Sequence, residues 1–84
     1  MYSVLLERAA EKDLARLSIV VHDRVITALH GLTQNPRPSG CRKLTGTKND
    51  WRIRVGDYRV IYEIADAIRV VRVHRIRHRG EVYR

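Results

Sequence analysis

Hydrophobic positions alternate at both ends of the chain and follow a helical period between them. In residues 2–7, YSVLLE, the side chains of Tyr2, Val4 and Leu6 share one side, which predicts a short strand. Residues 8–17 place Ala10, Leu14 and Leu17 on one stripe, the mark of an amphipathic helix. Ser18 interrupts that stripe and suits the N-cap of a second helix over 20–34. In that helix Val21, Val25, Ala28, Leu29 and Leu32 fall together. Asn35-Pro36 ends it, because the residue before proline disfavours helix. The pair reads as an αα-hairpin with one shared apolar seam.

Residues 35–50, NPRPSGCRKLTGTKND, are rich in Pro, Gly, Ser and Thr and predict a loop. Strands follow at 51–55, 57–65 and 67–76, and the tail RHRGEVYR supports one helical turn at most. The order is β-α-α-β-β-β: an α+β fold with an antiparallel sheet on an N-terminal helical hairpin, one domain over residues 1–84. One face of such a sheet covers the helices and the other is open.

Gly56-Asp57 between two alternating runs predicts a two-residue hairpin turn, with Gly56 at the position that needs positive φ. Register follows from the turn. Val55 pairs with Tyr58, Ile53 with Val60 and Trp51 with Tyr62 on the apolar side, while Arg54 pairs with Arg59 and Arg52 with Ile61 on the other. A second turn at Asp66-Ala67 sets Tyr62 against Val71, Val60 against Val73, His74 against Arg59 and Arg72 against Ile61. The open face then carries Arg52, Arg54, Arg59, Arg72 and His74, with Glu63 as the opposing charge. Two arginines directly opposite each other destabilise a sheet.

Composition sharpens this picture. The 84 residues carry 17 Lys and Arg against 9 Asp and Glu, a net charge of +8. Lysine occurs only at 12, 43 and 48, so the charge is mostly guanidinium, which grips phosphate with two prongs where ammonium offers a point charge. A small basic domain points to nucleic acid or an acidic protein. The lone Cys41 forms no disulfide within the chain and fits a reducing compartment. There is no apolar run of roughly 18 residues to span a membrane, and residues 1–13 lack the layout of a signal peptide, so a cytoplasmic location is expected.

A basic strand face is as often a solvated surface that resists aggregation as it is a site. Two features favour a site here: nearly all the charges have one sign, and they lie in the middle of a sheet. The tail adds Arg77, His78, Arg79, Glu81 and Tyr83, in which a histidine and a tyrosine could move or orient protons; on spacing alone it is a basic terminus. His22 and His30 face solvent on the second helix. No Gly-rich phosphate loop, metal cluster or Ser-His-Asp set is present, and no cofactor is expected.

The element order, the segment KL-x-G (Lys43 to Gly46), the stretch WRIRVGDYRVIYEI from Trp51 to Ile64 and the ending HR-x-x-VYR resemble the RelE/ParE toxin superfamily over almost the whole chain. The resemblance implies a type II toxin of the RelE-like mRNA interferase branch: a metal-independent, ribosome-dependent endoribonuclease that inhibits translation and is silenced by a RelB-like antitoxin. Its active surface would be the open sheet face. Carried onto this chain, the catalytic residues are Arg52, Arg54, Arg59, Arg79 and Tyr83. Counting back from Tyr83 selects Arg77 in place of Arg79, and both readings stand. His74 and His78 are candidate proton carriers, and Arg72, Arg77 and Lys43 candidate RNA contacts.

The best-known RelE pattern has lysines at the first two positions, where this chain has Arg52 and Arg54. An arginine practically never deprotonates, so these two can stabilise charge but not act as a base. The implied reaction is attack by an RNA 2′-OH on its neighbouring phosphate, with mRNA and the ribosome as partners and no membrane involvement. A ParE-like gyrase inhibitor without nuclease activity is the alternative; a non-catalytic RNA-binding module is a third. Oligomeric state is open.

Overall fold

The computed structural model describes residues 1–82. Its elements are β1 (Ser3–Leu6), α1 (Arg8–Ala15), α2 (Ile19–Gln34), β2 (Arg42–Lys43), β3 (Asp50–Val55), β4 (Tyr58–Ala65), a 3-10 turn (Asp66–Ile68), β5 (Val70–His78) and α3 (Arg79–Val82). The sheet runs β1-β5-β4-β3-β2. It is mixed: β1 joins β5 in parallel, and the other neighbours are antiparallel. The expected all-antiparallel sheet is corrected at that edge. The helices and the β2–β4 segment separate β1 from β5, and so long a connection leaves parallel pairing open to them.

The apolar stripes meet on one side of this sheet. Ala10 of α1 and Val25, Leu29 and Leu32 of α2 are buried with Ile53, Val60, Tyr62, Ile64, Val71, Val73 and Ile76. Leu14, Leu17, Val21 and Ala28 pack at the margin. Ser18 caps α2, its Oγ accepting from Val21 N at 3.4 Å. The helix ends at Asn35, and Tyr62 sends its hydroxyl 2.7 Å to the carbonyl oxygen of Pro36. That bond satisfies the one polar atom of the largest fully buried side chain.

The β3–β4 hairpin has the register that the alternation predicts, from Val55–Tyr58 through Trp51–Tyr62, and Gly56 has φ +60°. A Cβ at Gly56 would strain the backbone and lie 3.7 Å from the Arg24 guanidinium, which packs over the turn. The β4–β5 connection differs from expectation. It is the 3-10 turn closed by Arg69 in the left-handed region (φ 53°, ψ 52°), so Ala65 pairs with Val70 and Tyr62 with Val73. The shift is two residues, which keeps Val71 and Val73 inside. A bulge opposite Ile61 then inserts one residue, and beyond it Ile61 pairs with Arg75, Val60 with Ile76 and Arg59 with Arg77. The bulge is what turns Ile76 to the buried side, and together with the two-residue shift of the turn it makes Arg77, rather than His74, the partner of Arg59.

Candidate functional site

Pairing across the strands sorts the open face into three rows. At the hairpin tip Arg54, Arg59 and Arg77 stand in register on β3, β4 and β5. Two residues along, the row is Arg42, Arg52, Ile61 and Arg75. Two further, it is Asp50, Glu63 and Arg72. Charge thus changes along the strands, from all cationic at the tip to largely acidic at the far end.

The acids neutralise the far end. Arg72 Nη1 donates to Glu63 Oε1 at 2.7 Å. His74 lies between Glu7 Oε1 at 2.8 Å and Asp50 Oδ1 at 3.3 Å. Arg75 is gripped by Asp13 of α1, Nε to Oδ2 at 2.8 Å and Nη2 to Oδ1 at 3.2 Å, and the same Oδ2 accepts from Ile76 N at 2.9 Å. The bulge disturbs the ladder there, and Asp13 supplies an acceptor for the backbone as well as a counter-charge. Burial pushes its carboxyl pKa upward, but the bonds from Arg75 and Ile76 prevail and lower it.

At the tip the cations converge. Arg54, Arg59 and Arg79 line a pocket of ≈ 310 Å³ with Gly56, Asp57, Tyr58 and Gly80. Neither Arg54 nor Arg79 is ion-paired among the described residues. Arg59 is only 5% exposed, and its Nη1 donates to the carbonyl oxygen of Arg79 at 3.1 Å. Arg79 N in turn donates to the Asp57 carbonyl oxygen at 2.8 Å. These two bonds hold the start of α3 against the hairpin turn. Like charges in register destabilise a sheet, and here they are backed by a buried side chain and a fixed backbone. An anion with several acceptor oxygens would relieve their repulsion, and guanidinium geometry suits phosphate.

The structure brings together part of the residue set named from the sequence. Arg54, Arg59 and Arg79 share the pocket; Arg77 extends the tip row; Arg52 sits one row behind, 9% exposed. Four further named residues fall outside the pocket, and for Arg72 and His74 the expected register is corrected. Arg72 and His74 lie beside carboxylates, away from the pocket, because the real β4–β5 turn and bulge move them. Lys43 stands opposite Trp51 on the helix-covered face, so it is not part of the open-face rows. His78 makes an edge contact with the Tyr58 ring, centroids 5.4 Å apart, and is exposed outside the pocket. Tyr83 lies outside the described residues. Arg42 was missed because its two-residue strand sits within a Pro/Gly-rich segment that reads as loop. Glu7 and Asp50 were missed because neither alternation nor turn geometry places them beside His74. Among the described residues no group of three or more His, Cys, Asp and Glu could hold a metal ion.

Comparison with known proteins agrees with this architecture. Residues 4–83 match the family model for the ParE toxin of type II toxin-antitoxin systems, parDE. The RelE of the archaeal RelE–RelB complex from Pyrococcus horikoshii superposes with a TM-score of 0.85 at 29% identity, covering 95% of this chain and 97% of that one. The RelBE2 toxin–antitoxin complex of Mycobacterium tuberculosis gives 0.82 at 26% identity, with 93% and 98% covered. The isolated RelE toxin of E. coli gives 0.82 at 26%, with 99% and 92% covered. No curated protein matches the chain in a sequence search. With residues 4–83, nearly the whole sequence, in one family model, and the fold of RelE throughout, the chain belongs to the RelE/ParE superfamily of type II toxin–antitoxin toxins.

Proposed function

We propose that the chain is a ribosome-dependent endoribonuclease that cuts mRNA and so arrests translation. The observation that carries this reading is the pocket where Arg54, Arg59 and Arg79 converge with no carboxylate paired to Arg54 or Arg79 among the described residues. In the reaction the RNA 2′-oxygen forms a bond to the adjacent phosphorus and the P–O5′ bond breaks. The 2′-OH proton leaves, and the departing 5′-oxygen gains one. The products are a 2′,3′-cyclic phosphate and a 5′-OH. Extra negative charge gathers on the phosphate oxygens in the transition state, and prepositioned cations stabilise it more than the ground state. Arg54 and Arg59 take that charge. Arg79 faces the leaving oxygen, and Arg52, one row behind, serves general positioning of the RNA and not the reacting phosphate itself.

The three arginines of the pocket cannot act as general base, since arginine holds its proton. Alignment of the 2′-OH must then come from outside, and a ribosome holding the mRNA supplies it. Tyr83 is assigned to stacking on the nucleotide. The cognate partner is a RelB-like antitoxin whose acidic segments neutralise the arginine surface.

A second reading is a gyrase inhibitor that acts by binding alone. The ParE description of the matching family model favours it. Primer extension on a reporter mRNA after induction, beside a supercoiling assay with purified gyrase, separates the two. The ribonuclease reading predicts discrete cuts within the translated region and normal supercoiling. Intact mRNA with blocked supercoiling would replace it by the second.

A further inference from the structure

A larger groove lies behind the pocket. It has a volume of ≈ 560 Å³ and runs between α2 and the outer edge of β3. Arg42, Arg52 and Arg54 line it, with Ala28 and Gly31 of α2 and the Pro38–Gly40 turn. No acidic residue is in its wall. Arg54 lines both this groove and the tip pocket, so the two adjoin at its side chain.

The spacing fits one kind of ligand. Arg54 of the tip row and Arg52 of the second row are two residues apart on one strand, a step of about 7 Å. This matches the separation of successive phosphates along an extended single strand. Arg42 widens the second row at the sheet edge, where β3 has no strand partner beyond Trp51 and Arg52. A strand with its reacting phosphate at the tip would run its neighbouring phosphate toward Arg42 and Arg52 without bending.

We propose that this groove is a second phosphate subsite, which holds the phosphodiester adjacent to the one cut, so that the chain grips single-stranded RNA across two successive phosphates. This deepens the ribonuclease reading and rests on it. The subsite works by binding alone and involves no chemical step. It selects for chain length and not for base, because the groove is lined by cations and not by groups that read base edges.

The test uses 2′-O-methyl oligouridylates, which cannot be cut, and follows their binding to the whole protein by fluorescence polarisation over a range of salt. For a hexamer, Arg42→Ala is expected to weaken binding roughly tenfold and to reduce the slope of log K against log salt by about 0.7, the signature of one lost phosphate contact on a single strand. For a dinucleotide, which has one phosphodiester, it is expected to change neither. Gly31 provides a variant that leaves every arginine in place. A Cβ there meets nothing within 4 Å, so Gly31→Glu puts a carboxylate into open space in the groove and is expected to weaken the hexamer as Arg42→Ala does. Gly31→Ala is its control and binds as the wild type. An unchanged salt slope in Arg42→Ala, equal losses for dinucleotide and hexamer, or wild-type binding by Gly31→Glu would each overturn the subsite. Displacement of the hexamer by hexaglutamate at comparable concentration would assign the groove to an acidic peptide instead. The ribonuclease reading fails separately, if wild type leaves ribosome-bound mRNA intact while these binding differences persist.

Discussion

Arg59 donates from Nη1 to the carbonyl oxygen of Arg79, 3.1 Å away and twenty residues on in the chain. The bond joins the centre of the tip row to the first residue of α3. It makes Arg59 a support for the site as well as a cation within it. Arg54 carries no such double duty. It is exposed and lines both the pocket and the groove.

Arg54→Ala is therefore the cleaner substitution. Cleavage of ribosome-bound mRNA should fall by about 100-fold or more, the usual cost of losing one donor to transition-state charge. Thermal unfolding should be unchanged or slightly improved, since a like-charge contact with Arg59 is removed. Arg59→Ala should lose cleavage and also about 1–2 kcal/mol of stability, because its hydrogen bond to Arg79 goes. Calorimetry of both variants beside single-turnover cleavage checks the contrast.

How far the sequence led depended on which local signal was available. Gly56-Asp57 sets the β3–β4 register by itself, and every pair from Trp51–Tyr62 to Val55–Tyr58 is found as the alternation predicts. The β4–β5 register was not legible. Asp66-Ala67 resembles a two-residue turn, yet Arg69 takes a left-handed conformation that no glycine announces. The bulge beside Ile61 is stabilised by Asp13, sixty-two residues from Arg75, and no local pattern records so distant a contact. Arg54 and Arg59 were thus readable as a pair. That Arg77 completes their row, and that Arg72 and His74 are neutralised, follows only from the folded chain.

Asp13→Ala tests the bulge. The side chain is 12% exposed, and its loss removes the acceptor of Ile76 N and the ion pair with Arg75. Stability should drop by about 2 kcal/mol, or roughly 10 °C in Tm. Loss of cleavage at an unchanged Tm would mean that Asp13 serves the reaction and not the fold.

His74 gives the fold a pH dependence on the basic side. Burial lowers its pKa, but hydrogen bonding and charge from Glu7, with Asp50 in support, outweigh this and raise it above 6.5. The folded state binds the proton more tightly than the unfolded chain, so the stabilisation is complete below pH 6.5 and fades as pH rises through the raised value. The gap in urea midpoint between wild type and His74→Gln should be wider at pH 6 than at pH 9.

Asp66 acts in the opposite sense. It accepts both arms of Arg37, at 3.2 and 2.8 Å, and the Tyr2 hydroxyl at 2.6 Å. The Arg37 bond foremost, then Tyr2, lower its pKa from 3.8 to about 2 against a small effect of burial. Arg37 also lies over the Trp51 ring, 5.0 Å from its centroid, so Asp66 helps to position the segment that precedes β2. A lowered carboxyl pKa stabilises above about pH 4 and loses that effect as pH falls through 2. Asp66→Asn should be less stable than wild type at pH 7, and the difference should close by pH 2; urea titrations at both pH values measure it.

The most direct test compares one mRNA, free and bound in a translating ribosome, as substrate for the purified protein, with the fragment ends identified by mass spectrometry. Rapid cutting of the bound message, little cutting of the free one, and 2′,3′-cyclic phosphate and 5′-OH ends are expected. Equal rates on both, or ends bearing a 3′-hydroxyl and a 5′-phosphate, would contradict it.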